Sequence, residues 1–286
     1  MSEEPYRQLT DQLRPAPGGC QIQSATAGWQ VGTLGATVLW DNQVVGISNA
    51  HVLIEASSIV YQPDIVRLDL QLNPRIGLVG GVSIETTYDS WDDLISRESA
   101  TYSMWDFGWF TPDPPDPEDP EDPGPRTTPA IAGIYNGDEP LHVRNAEEGM
   151  HVRWIGASTQ TVGEYIIKDS DVVMVGTDAK GKVFGLHNFL RLMPVEGKPR
   201  AQKGDSGSAL VDDDNFVVGL LTTVPPDAPF DLGTKIPPTQ ADISAVKEMT
   251  RDEVHYERVM ERDRQAVIKA ILAKAQEAKS STCIVM

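Results

Sequence analysis

Lys203-Gly204-Asp205-Ser206-Gly207-Ser208-Ala209-Leu210-Val211 sets a serine between two glycines and runs directly into an apolar stretch fit for a strand. A serine hydroxyl is a poor nucleophile unless a base removes its proton and donors stabilise the oxyanion that follows. Glycines on either side allow a tight turn that can aim successive backbone N–H groups at one point. Gly204 and Ser206 are the residues placed to supply those two donors. The same tetrapeptide also suits a plain Gly/Asp/Ser turn between strands, so the motif needs partners elsewhere in the chain.

The strand-then-turn pattern extends outward in both directions. Upstream, Gly32–Trp40 reads as a strand, Asp41-Asn42 as a turn and Gln43–Asn49 as the returning strand. Further short candidates fall at 59–62, 75–79, 82–87 and 104–110. Beyond them Thr111–Pro129 reads TPDPPDPEDPEDPGPRTTP. Proline lacks the N–H a sheet ladder needs and the acids repel one another, so this stretch is expected to be an extended linker. After it the pattern resumes at 149–156, 164–167, 171–175 and 216–221. Two strand-rich parts, 19–110 and 130–240, follow a polar lead-in at 1–18, and little helix signal interrupts them. That pattern points to an all-β chain built as two packed barrels. Residues 241–286 change character, being rich in Ala, Glu, Lys, Arg and Gln, and read as a helical tail packed on the barrels or free to engage a partner protein.

Composition narrows the function classes. At 286 residues the chain has ample material for a core. A net charge of -18 disfavours nucleic acid and anionic lipid as partners of the folded body. Two cysteines, Cys20 and Cys283, offer no disulfide framework. The N-terminus lacks the basic and apolar regions of a secretory signal, and no window approaches a membrane span, so a cytoplasmic location is expected. No spacing suits metal ligands or a phosphate loop, and no cofactor is expected.

A base for Ser206 has to be a histidine, because only imidazole titrates near neutrality without strong perturbation. Of His51, His142, His151, His187 and His255, the first stands at the end of a strand where the chain leaves the sheet, in Ser48-Asn49-Ala50-His51-Val52-Leu53. Asp106 lies in the otherwise apolar Met104–Phe110, where a carboxylate must find a partner to offset its desolvation. Asp92 and Asp93, in a more polar stretch, are the alternatives for the acid.

In chain order His51, Asp106 and Ser206 match the trypsin/chymotrypsin class of serine peptidases. SNAHVL resembles that family's Ala-Ala-His block, DFGWF its aspartate block and GDSGSALV its Gly-Asp-Ser-Gly block. GTLGATV and GMHVRWIGASTQTVGEYI are similar to segments of small intracellular or microbial members. The resemblance covers about residues 19–248. It implies a chymotrypsin-like double β-barrel with the helical tail as an addition, polypeptide substrates, and peptide hydrolysis through an acyl-enzyme. Ser206 would be the nucleophile, His51 the base and Asp106 its orienting acid. In trypsin-like members the sixth residue before the nucleophile forms the base of the primary pocket, here Arg200, which implies cleavage after Glu or Asp unless Arg200 pairs with an acid of the chain. Secreted members pair the acid before the serine with an amine freed ahead of Ile-Val-Gly-Gly; Gly18–Gln23 offers no such sequence, which leaves Asp205 without that partner. A catalytically silent protease-like scaffold is a second reading. A third is a lipid-anchored interaction protein on the cytosolic face of a membrane, since Cys283-Ile284-Val285-Met286 fits a prenylation pattern.

Overall fold

The computed structural model describes residues 13, 15–25, 31–62, 75–83, 86–114, 126–177, 182–223, 228–250 and 253. Two curled, largely antiparallel sheets, of 8 and 9 strands, dominate it. In the first, Gln21–Ser24 pairs with Ile59–Tyr61, then come Arg75–Val82, Gly108–Pro112, Gln43–Ser48 and Ala36–Trp40. Just upstream of Ala36, Gly32–Thr33 returns to Gln21 and Ile22, and Leu34 bonds to Gly19 and Cys20, so the sheet closes on itself. The hairpin at 36–48 turns through Asp41 and Asn42, both at positive φ (49° and 61°). That conformation suits a two-residue turn between twisted strands, and Asp and Asn tolerate it better than most residues.

The second sheet is a closed ring. Gly163–Thr177 pairs with His151–Trp154, followed by Ala209–Asp212, Val217–Thr223, Asp231–Thr234 and Val183–Pro194, which pairs back onto Gly163–Thr177. Each ring has its own core. Ile22, Leu34, Leu53, Ile76 and Phe110 fill the first, and Trp154, Tyr165, Leu190, Leu192, Leu210 and Leu221 the second. A third cluster lies between them, joining Trp40, Ile47 and Phe107 to Ala209, Val211, Val217 and Leu220. Strand alternation explains the division: Leu210 points into its own barrel while Ala209 and Val211 face the other one. Burying such side chains contributes roughly 1.5–3 kcal/mol each, and the cluster includes Phe107 and Ala209, near Asp106 and Ser206 along the chain.

The domain boundaries differ from those expected. Thr87–Tyr88 and Ser99–Ser103, read from sequence as part of the first barrel, pair with Val183–Pro194 of the second sheet. Leu141–His142, from the second half, joins Ala36–Trp40 of the first. Residues 240–250 are not helical tail: a 3-10 turn, Gln240–Ser244, leads into the strand Val246–Thr250, which pairs with Ser99–Ser103. The chain beyond it, including Cys283 and the expected tail helix except for Glu253, lies outside the described residues, as do linker residues 115–125. Among the described residues, no helix is long and apolar enough to cross a membrane.

Candidate active site

His51 sits in a one-turn helix, Ala50–Leu53, directly after the strand Gln43–Ser48. Asp106 lies in the loop before Gly108–Pro112, not within the strand expected over 104–110. Register brings the two together. Gly108 stands opposite Ser48, so the residues just upstream of Gly108 face those just downstream of Ser48. His51 Nδ1 is 2.8 Å from Asp106 Oδ2, and the His51 backbone N–H donates to Asp106 Oδ1 at 3.2 Å. Both carboxylate oxygens thus face one residue. Asp106 is 6% exposed, and these bonds offset its desolvation. Its backbone is also held at both ends, the N–H donating to Thr234 Oγ1 and the carbonyl accepting from Asn49 Nδ2.

Ser206 comes from the second barrel, on the turn between Val183–Pro194 and Ala209–Asp212. Its hydroxyl donates to the Thr222 carbonyl at 2.8 Å, and its own carbonyl accepts the Thr33 N–H from the first barrel. Thr222 Oγ1 accepts from Asn49 Nδ2, so a continuous run of hydrogen bonds links Ser206, Thr222, Asn49, Asp106 and His51. The flanking glycines are required on two counts. Gly204 and Gly207 have φ of +101° and +97°, and a Cβ on Gly207 would lie 2.2 Å from Ser48 Oγ. Among the described residues no acceptor takes the N–H of Gly204 or of Ser206.

Asp205 has no exposed surface. Its carboxylate accepts the N–H groups of Ser158 (2.9 Å), Thr159 (3.0 Å) and Gln202 (2.8 Å), and the Thr159 hydroxyl. Among the described residues no amine takes part in this set. Gly156 makes the approach possible, since a Cβ there would lie 2.4 Å from Asp205 Oδ1.

The other candidates are engaged elsewhere. Asp93 forms an ion pair with Arg97 on the helix Trp91–Ser96, which also carries Asp92, remote in hydrogen bonding from His51. His151 bonds to Asp213 and Glu164; these carboxylates, the Asp213 hydrogen bond first, hold its pKa above the ordinary value. His187 is buried against Met249 Sδ at 3.2 Å, and burial lowers its pKa. His142 lies beside the Phe216 ring, and His255 is outside the described residues. Arg200 is not an unpaired cation awaiting an acidic side chain. Its guanidinium pairs with fully buried Asp231 and donates to the carbonyls of Ala228 and Phe230. The acid that takes its charge is 31 residues downstream and was not marked by any motif.

Asn49, Thr222, Thr33 and Thr234 complete the site without having been singled out in the sequence. Asn49 stood inside the quoted SNAHVL block; the threonines carry no local signal.

No protein-family model and no curated protein matches the chain. Among the solved structures similar to it are bacterial serine proteases. A chymotrypsin from Cellulomonas bogoriensis is 14% identical, with a TM-score of 0.45, over 76% of this chain and 88% of its own. Protease A of Thermobifida fusca is 15% identical, with a TM-score of 0.47, over 82% and 98%. The active form of a protease from M. tuberculosis is 16% identical, with a TM-score of 0.42, over 81% and 82%. At these scores the functional reading rests on the residues' own arrangement: a histidine paired with a buried aspartate in one barrel, linked through Asn49 and Thr222 to a glycine-flanked serine of the other.

Proposed function

We propose that the chain is a serine endopeptidase acting on polypeptides through an acyl-enzyme. The observation that carries this is the pairing of His51 Nδ1 with the buried Asp106 carboxylate, in one hydrogen-bonded run with Ser206. Asp106 would keep the imidazole in the tautomer with its proton on Nδ1, leaving Nε2 to act as base. Attack would begin with the Ser206 hydroxyl turning from the Thr222 carbonyl towards His51. As Ser206 Oγ bonds to the substrate carbonyl carbon, its proton passes to Nε2. The negative oxygen then takes the N–H groups of Gly204 and Ser206. His51 returns the proton to the leaving amine, and water releases the acyl group by the same steps in reverse roles. Nothing in this sequence requires a cofactor.

A fluorophosphonate probe tests the reading. It should label the wild-type chain on Ser206 and leave Ser206→Ala unlabelled. Equal labelling of the two, or no labelling of the wild type, would sink it.

A further inference from the structure

Asn49 occupies the residue before the helix that carries His51, the position where an asparagine ordinarily accepts an N–H from the first turn. It makes no such cap. The N–H of His51 goes to Asp106 Oδ1 instead, and among the described residues no protein donor reaches Asn49 Oδ1. The side chain, with no exposed surface, is engaged through its amide nitrogen alone. Nδ2 donates to the Asp106 carbonyl at 2.9 Å and to Thr222 Oγ1 at 3.2 Å. These acceptors belong to different parts of the site. Asp106 orients His51, while Thr222 lies on the second-barrel strand Val217–Thr223 and holds the Ser206 hydroxyl with its carbonyl.

Resting on the peptidase reading, we propose that Asn49 is a positioning residue: by bridging Asp106 and Thr222 it sets the histidine–aspartate pair of one barrel in register with the serine of the other. It touches neither the reacting atoms nor the substrate. A buried amide fits this task because it presents two donors in one rigid plane, so the two acceptors cannot shift independently. Displacing reacting groups by about 1 Å is enough to slow a reaction on the order of 100-fold.

The test uses Asn49→Ala, the isosteric Asn49→Asp, Thr222→Val and the double variant Asn49→Ala/Thr222→Val in the full chain. Hydrolysis of a peptide anilide is measured beside the deshielded Nδ1 proton resonance of His51 in the resting protein. Asn49→Ala and Asn49→Asp should lower kcat by roughly 10- to 100-fold with KM within about 2-fold, and should shift or broaden the resonance. Thr222→Val, which cuts the bridge from its other end without touching Asp106, should lower kcat less. The double variant should be no slower than Asn49→Ala, because the same link is already lost. Variants with lowered melting temperature but unchanged kcat and resonance would overturn the proposal, as would additive losses in the double variant. If Asn49→Ala does not fold, Thr222→Val decides by the same two readouts. Should the wild-type chain prove unable to hydrolyse peptides, the peptidase reading fails, while the resonance still reports whether Asn49 positions the pair.

Discussion

The Asp205 carboxylate, one residue before Ser206, accepts both the backbone N–H and the hydroxyl of Thr159. With the N–H groups of Ser158 and Gln202 this gives a fully buried carboxylate four neutral donors, and among the described residues no cation pairs with it. The set also fixes the turn from both sides, since Ser158 Oγ donates to the Lys203 carbonyl and Ser208 Oγ to the Asp205 carbonyl. These bonds hold the backbone on both sides of Ser206, and with it the N–H groups of Gly204 and Ser206.

Changes to this clamp should be read in turnover. Asp205→Asn puts an amide N–H₂ against donors and should lower kcat/KM by about 100-fold or more, comparable with losing an oxyanion donor. Thr159→Val removes the hydroxyl and keeps the backbone bond; a loss of about 10-fold is expected. Fusing a short peptide to the N-terminus should leave kcat/KM within about 2-fold of wild type. Steady-state kinetics on one anilide substrate covers all three, and strong inhibition by the N-terminal fusion would show that a free amine is needed after all.

For the proposed triad the sizes of the losses discriminate between roles. Ser206→Ala and His51→Ala should each lower kcat by several orders of magnitude. Asp106→Asn should cost about 10⁴-fold while the fold persists, because an amide in place of the carboxylate favours the wrong imidazole tautomer. The double variant Ser206→Ala/His51→Ala should be little slower than either single one. Losses that multiplied would mean the two residues do not act as a unit.

The topology was legible from short strands and turn residues because alternation and the Asp41-Asn42 turn are local properties. The ordered motifs singled out Ser206 and the His51 and Asp106 that the structure pairs for a similar reason: each sits in a short block whose residues are dictated by what one backbone segment must do. What escaped was non-local. Ser99–Ser103 has no feature that assigns it to the far barrel; that follows from its pairing at Leu186 and with Val246–Thr250. Val183–Pro194 was not marked as a strand at all, since His187, Asn188 and Arg191 break its apolar pattern, yet it joins Gly163–Thr177 to Asp231–Thr234. Asp205 lacked a partner in sequence because three of its four donors are backbone N–H groups, which any residue possesses. Asp231, the partner of Arg200, was hidden by the same long-range geometry.

His151 gives the stability a pH dependence of its own. Asp213 and Glu164 raise its pKa in the folded chain, while Lys198, through its bond to Glu164, is the nearby cation. A histidine whose folded pKa exceeds its unfolded value of about 6.5 stabilises the fold fully below that value and loses the contribution as pH rises through the folded pKa. His151→Asn should therefore be less stable than wild type at about pH 6, below the unfolded pKa of histidine. The two should converge on the alkaline side of neutrality. Urea unfolding of both proteins at intervals across this range tests it, and a difference that grew with pH would contradict the sign.

Arg200 and Asp231 bear on substrate choice. If Arg200 forms the base of the primary pocket, as the family resemblance implies, its pairing with Asp231 leaves that base without net charge. The wild-type chain should then show no preference for Glu or Asp before the cleaved bond, contrary to what an unpaired guanidinium would select. Asp231→Asn would keep the shape while releasing the charge, and Arg200 would retain the carbonyls of Ala228 and Phe230 as anchors. An acidic side chain could then accept its remaining donors, so this variant should gain cleavage after Glu or Asp. Arg200→Ala acts on stability instead. It strands a fully buried carboxylate that keeps the Tyr165 hydroxyl as a hydrogen-bond partner. Breaking a fully buried pair costs about 3–5 kcal/mol; with the Arg200 side chain 37% exposed, and so partly screened, about 2–3 kcal/mol is expected. Peptide-library digestion of wild type and Asp231→Asn, with denaturant unfolding of Arg200→Ala, separates the two effects. Wild-type cleavage mainly after Glu or Asp would show that the Arg200–Asp231 pair does not neutralise the pocket.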